Sequence, residues 1–313
     1  MSLSNIFSCW IPSWLRKEKH AFLLDMPDVV TNEILKNLDF VSIRKLRRVC
    51  HAFRDYIDCG KADSNLKSID LQVGANKIFF QLLSPSSQSK KDIEFSNKEV
   101  DDFLRTALKH RKSLLNELCV RRKWQFDDVP TFEKLFDCFI NVLESRNRLL
   151  RVESLTISVH GQDQLMHLLR HVDLKVLRRL TVFRLLKRGS SYENTVVLDL
   201  DILKDCENLE NLLVERFPVC SPFGMLTHIP NLEVYMQTIC CEDLLLYKHT
   251  LENSHVNAHS QIWFEQFPDK SRFLEAVGLA ENDGQSFHVF PSKLSLTYDP
   301  NLKVMIFKLK HIS

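Results

Sequence analysis

Residues 23–58 read LLDMPDVVTNEILKNLDFVSIRKLRRVCHAFRDYID, and their apolar side chains recur at steps of three and four residues. Such steps place side chains on one face of an α-helix. Two successive blocks show the pattern, separated by a short break at residues 38–40: Val30, Ile34, Leu35 and Leu38, then Ile43, Leu46, Val49, Cys50 and Phe53. The stretch therefore predicts a compact antiparallel helical unit that is too small to bury both of its faces. Another surface has to cover the apolar face that remains.

The beginning of the first helix is indicated by two residues. Pro27 suits a first-turn position, where its missing N–H costs no hydrogen bond. Asp25 lies just before it and is a candidate N-cap. Together they predict that the helix begins near residue 27.

The ordered motifs of this stretch resemble the F-box. The matching residues are Met26-Pro27, Ile34-Leu35, Leu38-Asp39-Phe40, Leu46, Val49-Cys50 and Phe53-Arg54. Asp-Met-Pro at the front and Tyr-Ile-Asp at the back are similar to the nematode F-box proteins that carry an FTH domain downstream. One position departs, because many F-boxes have a Glu two residues after the Pro and this chain has Val29. A carboxylate there would favour the helix dipole, so Val29 bears on whether this F-box is competent for a ligase.

The resemblance implies a three-helix unit over residues 22–60 that docks on a Skp-family adaptor and thereby joins a cullin–RING ubiquitin ligase. Exposed apolar residues on a small helical unit fit helix-in-groove recognition. The residues expected to divide between the unit's own core and the adaptor contact are Leu24, Pro27, Ile34, Leu35, Leu38, Ile43, Leu46, Val49, Cys50 and Phe53. Periodicity alone favours a helical hairpin that packs on its own domain, whereas the ordered set of Pro, Leu-Asp-Phe and Val-Cys favours the F-box.

The remaining chain is divided into an arm at 1–21, a connecting region at 61–150 and a repeat domain at 151–313. The arm has apolar residues interrupted by Pro12 and no basic lead-in, so it does not fit a secretory signal, and it is too short to span a bilayer. In the connecting region, alternation around a Gly-Ala-Asn turn predicts a hairpin of strands 66–73 and 77–83. Helical spacing predicts helices at 100–119 and 132–142.

From residue 152 onward, short strand-like segments recur at 152–159, 178–185, 195–200, 208–215 and 231–238, with helices at 164–171 and 242–251. Leu155 and Leu180 stand 25 residues apart, and the two Asn-Leu-Glu triplets at 208 and 231 stand 23 apart. Both spacings lie within the range of leucine-rich repeats. We therefore expect an α+β chain whose repeat domain is an irregular leucine-rich-repeat-like α/β solenoid. An ordinary α/β domain with a mixed sheet is the alternative.

The C-terminal end predicts a strand at 262–267, a helix at 270–279 and a short strand at 287–290. Two alternating segments, 294–298 and 304–309, flank Asp299-Pro300-Asn301 and predict a β-hairpin that closes the stack. Residues 154–157 and 242–246 are similar to an FTH domain, which implies that residues 151–313 recognise a substrate.

Composition excludes several classes of protein. The net charge of +2 indicates no partner chosen by overall charge, and seven glycines without a phosphate-binding fingerprint argue against a nucleotide site. Nine cysteines, an odd number with no Cys-x-x-Cys pair, indicate reduced thiols in a cytoplasmic or nuclear protein. No segment is apolar enough for a membrane helix.

Catalytic motifs are scarce. His255 and His259 have the spacing of two metal ligands on a helix, but Val256 replaces the Glu of a His-Glu-x-x-His hydrolase, and a polar loop explains both better. The segment from His160 to Asp163 fits a turn with a helix cap. We expect no catalytic residue, no metal and no cofactor.

Basic residues concentrate between 170 and 188: Arg170, His171, Lys175, Arg178, Arg179, Arg184, Lys187 and Arg188. Such a cluster can bind RNA or an acidic protein. Grooves that stack bases need aromatic side chains among the cations, and only Phe183 is present. A solvated basic face is therefore the preferred interpretation.

The resemblance to F-box proteins implies a substrate-recognition adaptor of a Skp–cullin–F-box ubiquitin ligase, with a Skp-family protein, a cullin and an unknown target protein as partners. Neither nucleic acid nor a membrane is the expected partner. Two alternatives remain. One is a non-ligase scaffold that binds an RNA-binding protein or RNA through residues 170–188. The other is a hydrolase that uses a histidine or cysteine of the repeat region.

Overall fold

The chain forms two compact units, residues 1–64 and residues 65–313. The structure, a computed structural model, describes residues 26–60, 66–74, 77–83, 91–95, 97–109, 111–122, 129–185, 196–254, 257–279 and 286–309. Asp25, the candidate cap, and the N-terminal arm lie outside these ranges. Among the described residues, no helix has both the length and the apolar character needed to cross a membrane.

The first unit contains three helices, as expected: α1 (Asp28–Asn37), α2 (Phe40–Val49) and α3 (His51–Gly60). Pro27 lies directly before α1, and its carbonyl oxygen accepts hydrogen bonds from the amides of Val30 and Thr31. Asp39 caps α2, because its Oδ1 accepts a hydrogen bond of 2.7 Å from the amide of Ser42. The connections between the helices are short, residues 38–39 between α1 and α2 and residue 50 between α2 and α3, so the stretch folds back on itself.

A small apolar core joins the three helices. Leu35 of α1, Ile43 of α2 and Ile57 of α3 are buried together. The partly buried side chains that pack against them are Leu38, Leu46 and Tyr56. Arg47 of α2 also pairs in bidentate fashion with Asp58 of α3, at 2.8 Å from Nε and 2.9 Å from the terminal nitrogen. The pairing fixes α2 against α3 with geometric specificity.

The second unit is built on one sheet, and the described residues contribute twelve strands to it. The strands are β1 (Ser68–Gly74), β2 (Lys77–Leu83), β3 (Lys91–Phe95), β4 (Leu115–Arg122), β5 (Val152–Val159), β6 (Arg179–Arg184), β7 (Asn211–Val219), β8 (Asn231–Thr238), β9 (Ala258–Gln266), β10 (Ser286–Val289), β11 (Leu294–Asp299) and β12 (Val304–Leu309). Their order across the sheet is β10-β11-β12-β9-β8-β7-β6-β5-β4-β1-β2-β3. The helices are α4 (Asn97–Leu108), α5 (Val129–Glu144), α6 (Gln162–Leu169), α7 (Cys241–Glu252) and α8 (Lys270–Ala276), with 3₁₀ turns at Asp201–Asp205 and Phe223–Leu226.

The middle of the sheet is parallel, from β1 through β4 to β9. A row of paired, fully buried residues crosses six of these strands: Ile69, Leu118, Leu155, Leu180, Leu212 and Leu232. Parallel pairing needs a crossover segment between strands, which explains why helices or 3₁₀ turns alternate with the strands. The predicted hairpins lie at the two ends, β1 with β2 and β11 with β12, and both are antiparallel.

The helix predicted at 100–119 is only half correct. Helix α4 ends at Leu108, and residues 115–122 form β4 between β1 and β5. Leu115 and Leu118 are three apart and fit helical spacing, but both are fully buried in the sheet. Arg146 donates to the carbonyl oxygens of Leu108 and Arg111, which satisfies backbone groups where the helix ends. The apolar spacing of residues 100–119 could not predict these contacts, because Arg146 lies far along the sequence.

Two details of the repeat pattern were also wrong. The strand predicted at 195–200 is reduced, in the described residues 196–200, to a single bridge between Leu198 and Val219. The two Asn-Leu-Glu triplets do not occupy equivalent positions, since Asn231 pairs with Asn211. Asn208 lies before β7, and its side chain donates to the carbonyl of Lys175. The repeats are therefore less regular than those spacings indicate. The sheet is mixed, because antiparallel pairs flank its parallel middle.

Candidate functional site

The structure describes nine of the ten predicted adaptor-contact residues and separates them into three groups. Leu35 and Ile43 are buried in the core of the first unit. A half-buried group consists of Ile34, Leu38, Leu46 and Phe53. Pro27, Val49 and Cys50 are exposed. Leu24 lies outside the described residues.

Two exposed apolar residues of α1 were missed or misplaced by the sequence reasoning. Val29 is 80% exposed, and Val30, which the helical pattern placed on the same face as Ile34, is 43% exposed. The helical position that carries Glu in many F-boxes is thus occupied here by an apolar side chain in solvent. The sequence signal for this exposed pair is that Val29 and Val30 are adjacent in the first turn of α1.

The end of α2 presents a second exposed apolar segment. Val49 is 68% exposed, Cys50 follows it, and α3 begins at His51. Val49 and Cys50 lie two and three residues beyond Arg47, whose ion pair with Asp58 holds α2 against α3. We call Pro27, Val29, Val30, Val49 and Cys50 the exposed apolar set. These residues are held on short, mutually packed helices, and their apolar surface in solvent is available to a partner.

The residues considered for catalysis do not form a catalytic arrangement among the described residues. His259 is exposed on β9, where its ring lies 3.4 Å from the Gln261 amide, and His255 lies outside the described residues. His160 makes an ion-pair contact of 3.2 Å with Glu133, and its backbone amide donates to Gln164 of α6 at 2.8 Å. The segment therefore forms the predicted turn before α6, but the N-cap residue is Gly161 and no side-chain cap hydrogen bond is present there, so the predicted cap is not observed.

The buried thiols do not favour nucleophilic chemistry. Cys119, Cys206 and Cys241 are buried. Burial raises the pKa of Cys206 to about 11, and it raises the pKa of Cys119 further, with the carboxylate of Asp70 adding to the effect. A raised pKa keeps the thiol protonated at neutral pH, and a protonated thiol is a poor nucleophile.

The basic cluster is partly neutralised by acidic neighbours. Arg178 lies 3.0 Å from Glu210 and 3.9 Å from Glu153. Arg184 lies over the ring of Phe217, at 5.7 Å from its centroid. Arg170, Lys175 and Arg179 are exposed, whereas Lys187 and Arg188 lie outside the described residues. This arrangement is typical of a solvated, ion-paired surface.

Two domain-family models match the chain. The F-box domain model matches residues 23–59, which include α1 and α2 and all but the last residue of α3. The FTH domain model matches residues 133–275, from within α5 to within α8. The chain is also similar, at 26% identity over 166 residues, to NADH-ubiquinone oxidoreductase subunit 9 of Dictyostelium discoideum, over 50% of this chain and 78% of that protein.

The corresponding subunit of Dictyostelium citrinum gives the same identity and coverage. No solved structure matches the chain. The two family matches follow the same order as the two compact units, since the F-box lies within residues 1–64 and the FTH domain within residues 65–313. The chain thus carries an F-box domain at residues 23–59 followed by an FTH domain at residues 133–275, the architecture that the sequence resemblance predicted.

Proposed function

We propose that this protein is the substrate-recognition adaptor of a Skp–cullin–F-box ubiquitin ligase. The observation that carries the proposal is the exposed apolar set on a three-helix unit that matches the F-box model. When a partner covers these exposed valines, the complex gains a free energy of about 25 cal/mol per Å² of apolar surface that is removed from water. A Skp-family adaptor is the partner that an F-box implies, and a cullin follows through it.

The ten predicted contact residues take different parts in this proposal. Leu35 and Ile43 position the helices. Pro27, Val49 and Cys50, together with Val29 and Val30, contact the adaptor. The half-buried residues, Ile34, Leu38, Leu46 and Phe53, contribute both to the packing of the helices and to the adaptor contact.

The remaining chain presents the target protein. Residues 61–150 connect the F-box to the recognition region at 151–313, and we interpret the row of buried leucines and the alternating strands and helices as an irregular leucine-rich-repeat-like stack. The target is held near a ubiquitin-charged carrier, so that its effective concentration rises. This chain contributes no catalytic residue to that transfer, which takes place in the cytoplasm or nucleus.

The direct test is calorimetric titration of the full chain with a purified Skp-family adaptor. Val49→Asp is expected to weaken binding at least tenfold, because burying an unpaired carboxylate costs well over 1.4 kcal/mol. Leu302→Asp is the matched control, since Leu302 in the second unit is also 68% exposed. The control is expected to bind as the wild type does. A folded wild-type chain that fails to bind the adaptor would overturn the proposal.

Thiol footprinting gives an independent readout on the same complex. Cys50 and Cys220 are both exposed, one in the F-box and one in the second unit. Saturating adaptor is expected to slow the alkylation of Cys50 and to leave Cys220 unchanged. Equal protection of both thiols would argue against a docking site on the F-box.

A further inference from the structure

Three potential metal-binding side chains meet at the ends of two helices in the FTH domain. Glu144 is the last residue of α5, His167 lies in the last turn of α6, and His171 follows one turn later. Their donor atoms all lie within 4.8 Å of one another. The Nε2 atom of His167 is 2.8 Å from Oε1 of Glu144, and the two imidazole rings have centroids 5.7 Å apart.

The backbone explains why the two histidines converge. They are four residues apart, so helical geometry places them on one face. The helical turn continues past the end of α6, because Arg170 keeps helical backbone angles and the amide of His171 donates to the carbonyl of Leu168 at 2.9 Å. Glu144 comes from a different element, so the arrangement does not follow from local sequence alone.

An ion pair between Glu144 and His167 accounts for only two of the three groups. Two imidazoles and one carboxylate form a donor set that suits Zn²⁺, as in catalytic zinc sites with three protein ligands. Metal–ligand distances of about 2.0–2.2 Å place tetrahedral donors about 3.3–3.6 Å apart. The separations here, from 2.8 Å to 4.8 Å at most, bracket that value.

Little movement is needed to complete the geometry. Glu144 and His167 are exposed and His171 is half-buried, so small side-chain rotations meet no packed core. We propose that Glu144, His167 and His171 form a zinc-binding site that ties the end of α5 to the end of α6. The fourth coordination position faces solvent and takes water. The site is independent of the proposed adaptor contact, because all three residues lie in the second unit.

The test is titration of the purified full chain with Zn²⁺ by calorimetry, under a reductant that does not bind zinc. A single saturable site is expected. His167→Gln, His171→Gln and Glu144→Gln are each expected to weaken Zn²⁺ binding at least tenfold, since losing even an outer-shell partner of a metal site costs 10–100-fold. His249→Gln is the matched control, because His249 is an exposed histidine in the last turn of another helix, α7. It is expected to leave Zn²⁺ affinity unchanged.

Binding of Co²⁺ identifies the ligands by absorption. Coordination by imidazole and carboxylate is expected to give visible bands without the intense near-ultraviolet band of cobalt thiolates. Circular dichroism of each variant verifies that the fold is retained. The proposal is overturned if the three variants bind Zn²⁺ as the wild type does, if His249→Gln weakens binding equally, or if the Co²⁺ spectrum shows thiolate ligation.

Discussion

Leu35 of α1 is a core residue of the first unit, whereas Val49 at the end of α2 faces solvent. Leu35 is 2% exposed and packs with Ile43 and Ile57, whereas Val49 is 68% exposed. Leu35→Ala is expected to destabilise the first unit by about 2–5 kcal/mol, because the substitution leaves a cavity that the few surrounding core residues cannot fill. Val49→Ala is expected to change stability by less than about 0.5 kcal/mol.

Hydrogen exchange with mass spectrometry measures this difference locally, in peptides from residues 28–60. Faster exchange across all three helices is expected for Leu35→Ala only. If both variants exchange alike, the division of these residues into core and exposed groups is wrong.

The Cys206 thiol gives the stability of the second unit a defined dependence on pH. Burial raises the pKa of this thiol to about 11, above the value of about 8.5 expected in an unfolded chain. The folded protein thus binds the proton more tightly, so its stability is unaffected below about pH 8 and falls as pH rises from about 9 to 11. Cys206→Ala is expected to reduce this slope.

Denaturant unfolding of both proteins at pH 8, 9, 10 and 11 measures the slope. The difference between the two slopes isolates Cys206 from the other groups that titrate in alkali. Parallel curves would show that Cys206 titrates alike in the folded and unfolded chains.

Periodicity predicted which residues of the F-box are apolar and helical, but it could not assign each one to the core or to the surface. Three helices cross at short connections, so the buried direction changes from one helix to the next. Val30 illustrates this, because its spacing to Ile34 is helical and yet it is 43% exposed. Histidine spacing is equally insufficient to identify the zinc site proposed above. His167 and His171 have the same spacing as His255 and His259, but the third group, Glu144, is supplied by another helix.

At the scale of elements, the cap of α2 decides where the first unit turns. Oδ1 of Asp39 accepts the Ser42 amide at 2.7 Å. Asp39→Ala is expected to cost about 1 kcal/mol of stability, whereas Asp39→Asn, which retains a capping oxygen, is expected to cost a few tenths at most. Hydrogen exchange of peptides from residues 28–60, measured at increasing temperature, compares the stability of the first unit in the two variants. An equal loss in both would assign the effect to the negative charge of Asp39 and not to the cap.

Strand and helix positions could be predicted well wherever one pattern fitted the residues. The strands at 77–83, 152–159, 231–238 and 304–309 have the predicted bounds. The failure at 100–119 occurred where Leu115 and Leu118 fitted both helical spacing and a buried parallel strand. A strand that is buried on both faces loses the alternation that distinguishes it from a helix.

For the molecule as a whole, the sheet continues across the domain boundary that the recurring strand-like segments predicted at residue 150. Strand β4 pairs in parallel with β5, and its residues Leu115, Leu118 and Val120 are fully buried. A fragment of residues 151–313 would therefore expose an edge of a parallel sheet whose side chains are apolar, and such edges promote aggregation. A fragment of residues 65–313 retains the whole second unit.

We expect the fragment 65–313 to fold with a cooperative unfolding transition and to remain monomeric, and the fragment 151–313 to aggregate or to lack such a transition. Size-exclusion chromatography and thermal denaturation distinguish the two outcomes. If residues 151–313 fold cooperatively alone, β1–β4 form a separable layer and recognition of the target can be studied without them. If they do not, the region at 61–150 is part of the structure that holds the recognition surface, because each buried strand is stabilised by the neighbour on either side of it.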